Sequence, residues 1–408
     1  MDEGAGAANT VSATIGSHHR GTNQSGMRDH NQRVVLTLLR ERGGLAKTEI
    51  ARLTNLSAQT ASVIMRELEE DGLIVRGEPQ RGKIGQPSIP LSLNPGGAFF
   101  LGLKVGRRSA ECVLIDFVGS VRGMRSQAYG FPTPDGTVDF ARRAVHELRA
   151  GLTEAEGRRI AGLGAAIPFE LWNWAEQAGA PEDAMNAWRT SDLGAILRQE
   201  FSFPVYVQND ASSACGAELV FGALGPIRNF IYFYIGAFAG GGVVIDRRLH
   251  VGASGNAGAL GSMPVPGPNG RPAQLIDVAS LTILERTILG CGKPAGYLWT
   301  NPEDWAGETP DCSEWIKSAG AALAYAIVSA AAVFDFEAAV IDGWMPASIR
   351  TALVDAASGA ILDIDTQGLT PPVVREGTVG IHARAIGGAS LPLSDRFLTG
   401  QSQPIREY

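Results

Sequence analysis

The spacing of apolar positions along the chain changes twice. Near the front, Val35, Leu38 and Leu39 fall at i, i+3 and i+4, one face of a helix that Gly43–Gly44 ends; order is expected to begin near Asn31. A second, short helix is predicted over 47–54, with Ile50, Ala51 and Leu53 inward. The stretch TNLSAQTASVIMRELEEDGLI then predicts a turn and a third helix. Asn55 tolerates the left-handed backbone of a tight turn, Leu56 tucks into the core, and Ser57 can cap the helix. Ala61, Ile64 and Leu68 face inward, leaving Ala58, Gln59, Thr60, Ser62, Val63 and Arg66 outside. After Gly72 the period falls to two. Residues 73–76 and IPLSL read as strands around the hairpin tip GEPQRGKIGQPS. Three helices and a two-stranded wing make a winged helix-turn-helix.

Beyond a linker at 95–97, apolar strands dominate: FFLGLKVG, ECVLIDFVG, AGLGAAIP and PVYVQN, then FIYFYIGAFAGGGVVIDRRLHVG. The last repeats the strand–turn–strand theme of the first two. Such a repeat, with later helices in each half, predicts two similar α/β lobes around a cleft. The longest apolar run, 319–334, is too short to span a bilayer and reads as a buried helix. Residues 1–26 hold almost no large apolar side chains and are expected to be a disordered tail, in which His18 and His19 are not a metal site.

Charge sharpens the DNA reading. The net charge is −7, yet residues 28–83 hold ten Lys/Arg against eight Asp/Glu. A mildly basic front end on an acidic body fits a DNA-reading module joined to something else. The small outer face of the third helix suits a major groove. Ser57, Gln59, Thr60, Ser62 and Val63 are placed to meet bases and backbone, and Arg66 to meet phosphate. Arg81, Lys83 and Gln86 belong to the wing. Glu67, Glu69, Glu70 and Asp71 must face away from DNA. Cys112, Cys215, Cys291 and Cys312 form no C-x-x-C pair, which predicts a reducing cytoplasm and no structural zinc.

The segment VGASGNAGALGSMPVPGPNGRPAQLIDVAS, 251–280, is dense in glycine and almost free of reactive groups. Together with GTNQSGMRDHNQRVVL, PSIPLSLNP, PVYVQNDASSACGAE and IGGASLPL, it makes residues 22–390 resemble the ROK family of repressors and sugar kinases. The resemblance implies an actin-like body of two RNase-H-like lobes behind an all-α winged helix-turn-helix domain. It implies domains at 27–94 and 98–205, the latter completed by 386–408, and a second lobe at 206–385.

Departures from the family pattern direct the functional reading. The family kinases' first phosphate turn is here Lys104-Val105-Gly106-Arg107-Arg108, and the second, Gly236 to Gly240, carries Phe238 in place of a glycine. The adenosine-site glycines survive only around Gly343. Asp210 resembles the kinases' general base, but its phosphoryl donor has no seat. Where sugar-binding relatives carry Glu, His and a second Glu, this chain has Ala259, Ser262 and Ile276, and the family's zinc cysteines are missing. Each lost charged hydrogen bond typically costs on the order of 1.5–3 kcal/mol of binding. Asn209, Asp210, Ser254, Asn256 and Ser262 remain as candidate ligand contacts, with Gln274 and Arg271 as further neutral and charged partners. Gln86 replaces the arginine of the relatives' Gly-Arg-Pro wing, which predicts a weaker minor-groove preference.

The expectation is a cytoplasmic bacterial transcriptional regulator, a repressor of carbohydrate uptake or metabolism genes. It binds a double-stranded operator as a homodimer or homotetramer and responds to a small carbohydrate-like ligand between the lobes. No catalytic residue, metal, cofactor or membrane contact is expected. The alternatives are a body that only oligomerises and an active sugar kinase. A dinucleotide enzyme fits poorly, because GAFAGGG lacks G-x-G-x-x-G spacing.

Overall fold

The computed structural model describes residues 24–79, 89–175, 180–267, 270–302, 305 and 312–400. Helix α1 spans Gln24–Arg42, α2 Lys47–Thr54 and α3 Ala58–Glu70. Helix α1 starts before Asn31 because Arg28 and Gln32 both donate to the Glu67 carboxylate of α3. Apolar periodicity cannot reveal such pairing. Val35, Leu36, Leu39, Ile50, Ala61, Ile64, Met65 and Leu68 are buried. Met65 joins the expected set, whereas Leu53 is 44% exposed and not inward: on an eight-residue helix, Ile50 and the half-buried Ala51 fill the contact. Asn55 adopts φ 55°, the left-handed turn expected of it.

Strands β2, Ile74–Arg76, and β3, Pro90–Leu93, pair antiparallel from Ile74↔Leu93 to Arg76↔Leu91. A short strand β1, Leu45–Ala46, adds to the far edge of β3. The module therefore carries three short strands beside its helices. The supposed linker at 95–97 is a packed 3-10 turn. The Asn94 amide spans it, accepting from Gly96 N at 3.2 Å and donating to Gly72 O at 2.7 Å. A methyl group on Gly97 would lie 3.1–3.2 Å from Gly72 O, Leu73 Cα and the Phe117 ring.

Behind this joint lie two five-stranded sheets. The first contains β4 (Phe99–Val105), β5 (Ser109–Asp116), β6 (Val121–Ala128), β7 (Ile160–Ile167) and β8 (Val205–Asn209), in the order β6-β5-β4-β7-β8. The second contains β9 (Phe230–Ile235), β10 (Ala239–Ile245), β11 (Arg248–His250), β12 (Ala338–Gly343) and β13 (Val373–Glu376), in the order β11-β10-β9-β12-β13. Each sheet is an antiparallel three-stranded meander continued by two parallel strands. This duplicated order is the RNase-H-like lobe used twice, as expected.

Helices cover both faces of each sheet. In the first half α4 (Pro134–Ala150), α5 (Glu182–Thr190) and α6 (Leu193–Glu200) bury Phe140, Trp188 and Leu197 on one face. In the second, α8 (Leu281–Gly290), α9 (Ser313–Ala331) and α10 (Ala347–Ile361) enclose Phe233, Leu323 and Ile341. Most of the 319–334 run lies in α9, and no described helix is long and apolar enough to cross a membrane. Two helices lie on the inner faces: α7, Asp210–Phe221, and α11, Ala383–Phe397. Added methyls on Gly102 and Gly164 would come within 2.0 Å of α11 carbonyls, and one on Gly387 within 1.9 Å of Ser213 O in α7. Backbone approach this close admits only glycine, which accounts for Gly387-Gly388 in IGGASLPL.

The DNA-reading module shares its core with the first lobe. Val35, Leu36 and Leu39 of α1 belong to one apolar cluster with Phe100, Ile115, Phe117, Ala389 and Leu393. The Arg40 guanidinium donates to Phe117 O and lies over the rings of Phe117 and Phe221, 5.7 and 5.6 Å from their centroids. Thr37 and Thr399 hydrogen-bond at 3.1 Å, and Glu41 pairs with Arg247 at 2.9 Å.

Candidate functional site

Helix α3 presents one continuous polar surface. Ser57, Gln59, Thr60, Ser62, Val63 and Arg66 are all exposed, while Ala61, Ile64, Met65 and Leu68 anchor the opposite face. Ser57 Oγ accepts from Thr60 N at 3.1 Å and lies 2.8 Å from Thr60 Oγ1, so both hydroxyls are committed to the cap. Gln59, Ser62 and Val63 are thereby the outward groups of the first turns. Arg66 leans toward Glu70 at 3.8 Å. The acids are drawn sideways into the module: Glu67 to Arg28, and Glu69 to Arg76 at 2.5 and 3.0 Å. The hydrogen bond from Arg76, chiefly, holds the Glu69 carboxyl below its usual range. Arg81, Lys83 and Gln86 lie outside the described residues.

The second site is a cleft of about 200 Å³ between the two sheets. Its floor is the end of β8 and the start of α7. Asn209 Oδ1 caps α7, accepting from Ala211 N at 3.0 Å and Ser212 N at 3.1 Å. Asp210 accepts from Ala211 N at 3.0 Å with Oδ1 and from Arg384 at 3.2 Å with Oδ2. The cap does not exclude a ligand contact, since each Asp210 oxygen accepts one bond and retains acceptor capacity, and the cap uses only the oxygen of the Asn209 amide. One wall is the β4–β5 turn with Lys104, Arg107 and Arg108; the facing wall includes Phe238, Asn256, Ala259, Ser262 and Ile276. Ala259, Ser262 and Ile276 thus come together in the cleft although 17 positions separate the first from the last.

Ser254 takes a different place. With Gly255 it borders an adjoining recess of about 480 Å³ lined by Trp172, Trp188 and Leu193, and Asn209 is shared between the two cavities. Arg271 and Gln274 are exposed and line neither one. The chain turns away after Ser262 into a small hairpin, 264–274, that carries them outward.

The two altered phosphate turns face each other, and their substituted side chains meet: the Arg107 guanidinium stacks on the Phe238 ring, 3.4 Å from its centroid. Burial pushes the Arg107 guanidinium down to about 9, with Asp210 offsetting part of the effect. Beneath it Lys104 Nζ donates to Ser109 Oγ and Glu111 Oε1, both at 2.9 Å, and Glu111 Oε2 lies 3.2 Å from His382 Nδ1. Burial would raise the Glu111 carboxyl, but Lys104 and His382 outweigh it and hold it well below the usual carboxylate range. Arg384 lies 4.8 Å from the Tyr234 ring centroid. Burial opposes its charge, and Tyr234, Asp210 and Glu111 together reverse that.

Glu111, His382, Arg384, Tyr234, Trp299 and Trp344 were not predicted at the site. The motif IGGASLPL begins only at Ile386, after His382 and Arg384, and no local spacing links Arg384 to Asp210, 174 positions earlier.

Comparison with known proteins places this architecture. A profile described as ROK family matches residues 100–350, and one described as winged helix-turn-helix DNA-binding matches residues 28–75. The chain belongs to the ROK family. It is 27% identical over 379 residues to protein y4fQ of Sinorhizobium fredii, covering 91% of this chain and 92% of that one. It is 26% identical over 242 residues to the xylose repressor of Caldicellulosiruptor bescii, and the match spans 59% of each chain. Among solved structures, a ROK family transcriptional regulator described as a homologue of the E. coli MLC protein superposes with a TM-score of 0.65 at 20% identity, over 91% of this chain and 97% of that one.

Proposed function

We propose that this ROK protein is a sugar-responsive DNA-binding repressor. The observation that carries the reading is the pairing of an outward polar α3 face with a cleft whose phosphate turns are clasped together by Arg107 and Phe238. The first is built to read DNA; the second leaves an interlobe pocket but fills the seat of a phosphoryl donor. Gln59, Ser62 and Val63 would meet base edges, Ser57 and Thr60 the backbone, and Arg66 with the wing residues Arg81, Lys83 and Gln86 the phosphates and groove. Asn209, Asp210, Asn256 and Ser262 would bind the effector, with Ser254 reached only by a ligand that extends into the recess. The likeness to a xylose repressor supports a carbohydrate effector.

On this reading the DNA-binding unit is 27–94, the two lobes are sensors, and the chain acts as a homodimer or homotetramer on a two-fold operator. It is not a kinase, and calorimetry with ATP and magnesium is expected to show no saturation. The reading is tested by fluorescence anisotropy on the chain's own upstream DNA at fixed salt, with a panel of sugars, polyols, amino sugars and sugar phosphates. A compound that shifts the binding curve supports it. Tight binding that none shifts would leave a body that only oligomerises.

A further inference from the structure

We infer that the effector is a glycoside with an aromatic aglycone: the sugar ring occupies the cleft, and the aromatic group fills the adjoining recess beside Trp172. This rests on the sugar-sensing reading of the cleft and names the chemical class of its ligand.

The recess is the larger of the two cavities, about 480 Å³ against about 200 Å³ for the cleft. Sites for small molecules typically run to roughly 300–1,000 Å³ and are lined mainly by apolar and aromatic side chains. The recess meets that description; the cleft alone does not. Ile167, Leu171, Trp172, Trp188, Leu193 and Val207 line it. All six belong to the apolar cluster of the first lobe, so the recess is a gap in a packed core and not a fold in a surface loop. Leu171, Trp188 and Leu193 are buried, and Trp172 is half-buried. Arg189 holds Trp172 from one side: its guanidinium lies 5.9 Å from the ring centroid and donates to Asn173 Oδ1 at 3.4 Å. A preformed apolar cavity favours an apolar occupant over water.

The polar side chains around the recess are largely turned to the protein itself. Trp188 Nε1 donates to Pro132 O at 3.0 Å, and Ser191 Oγ to Ala187 O at 2.7 Å. Asp192 Oδ1 accepts from Ala195 N at 2.9 Å, and Gln208 Oε1 from Asn209 N at 2.8 Å. The charges also balance, Arg189 and Arg198 against Glu170 and Asp192. A second sugar ring would bring several hydroxyls that lose water on entry and need new partners. An aromatic ring brings none, and it gains an offset or edge-on contact with the Trp172 ring. Position supplies the link to the sugar. Pro168, Phe169 and Asn209 line both cavities, so the two meet there. The α7 cap takes the Asn209 oxygen, which leaves the amide nitrogen as the donor at the junction, toward the glycosidic oxygen of a ligand that spans both.

The test is calorimetry on the full-length protein with phenyl and methyl glycosides of xylose, glucose, galactose and N-acetylglucosamine, both anomers of each, beside cellobiose and phenol. Operator anisotropy with the same compounds follows. The expected result is a phenyl glycoside that shifts the operator curve and binds at least about tenfold more tightly than the methyl glycoside of the same sugar, the preference that burial of one ring supplies. Trp172→Ala is expected to lower phenyl glycoside affinity by about tenfold, and Trp172→Phe to retain part of it. Operator binding without ligand checks that each variant is folded. Phenyl and methyl glycosides that bind equally, or a phenyl preference intact in Trp172→Ala, would overturn the proposal; if they shift the operator curve, the repressor reading stands. Cellobiose binding as tightly as phenyl glucoside would overturn the aromatic aglycone, and phenol binding as tightly as its glycosides would overturn the sugar. Absence of binding by every phenyl glycoside would overturn the proposal as well. A phenyl preference that Trp172→Ala removes but that leaves the operator curve unmoved would instead refute the effector role, and with it the sugar-sensing reading, and leave the recess as a binding site.

Discussion

Replacing Arg40 with methionine keeps the unbranched stem and removes the guanidinium that joins α1 to the body. The group makes a charged hydrogen bond to Phe117 O and lies over two rings, Phe117 and Phe221. Hydrogen bonds from charged groups contribute about 1.5–3 kcal/mol. Each ring contact adds about 0.5–1 kcal/mol, more when desolvated. Against these stands the burial of the cation, which pushes Arg40 down to about 10 even with Asp116 nearby. That drop corresponds to roughly 3 kcal/mol of opposition to the charged form. The net expectation for Arg40→Met is a loss of up to about 2 kcal/mol, concentrated at the joint and not spread through either lobe. Chemical denaturation followed by two probes reads it: amide hydrogen exchange of α1–α3, and the fluorescence of the tryptophans, all of which lie in the body. In the wild type the two transitions coincide, because Val35, Leu36 and Leu39 share a core with the first lobe. In the variant the DNA module unfolds first, operator affinity survives, and its response to ligand shrinks. Coincident transitions within about 0.5 kcal/mol of wild type, together with an undiminished ligand response, would show that the Arg40 contact does not couple the two parts.

Three further outcomes are expected. Gly164→Ala puts a methyl 1.9 Å from Gly388 O; with backbone on both sides it should cost several kcal/mol or prevent folding, read by thermal melting and soluble yield. Gln59→Ala, at an exposed position, should leave the melting temperature unchanged and lower specific operator affinity by about 1–3 kcal/mol at one base position, read by anisotropy on variant operators. Glu111 titrates below its ordinary value of 4.5, so its ionised form favours the folded state. That stabilisation is complete above the unfolded value and is lost as pH falls below it toward the folded value, and Glu111→Gln should flatten the acid limb of a stability–pH curve.

The features readable from sequence were those fixed by near neighbours. The α3 face follows from Ala61, Ile64 and Leu68 at helical spacing, the turn from Asn55 and the cap from Ser57, all within one short stretch. Leu53 misled because a two-turn helix has too few positions to define a face. Ala259 and Ser262 were legible because one family motif carries both, and Ile276 because it falls at a later family position, beyond the hairpin 264–274. The ionic lining was not legible. Glu111 meets His382 across 271 positions and Arg384 meets Asp210 across 174, contacts made only when α11 returns to the first sheet. The clasp lay between these extremes: Arg107 and Phe238 each stood out as a misfit in its own turn, and only the folded arrangement shows that the misfits touch.

Helix α7 begins with Asp210 in the cleft and ends with Phe221 under the Arg40 guanidinium. Its 12 residues make a rod about 18 Å long. Pivoted where Gly387 of α11 grips the Ser213 carbonyl, close to the cleft end, it has a short arm on the ligand side and a long arm on the DNA side. A tilt of about 5° set by a ligand at Asp210 would carry the far tip by about 1 Å, and with it the base of α1. Two such rods in a symmetric assembly would move both recognition helices together, so half-site spacing becomes the quantity that the ligand controls.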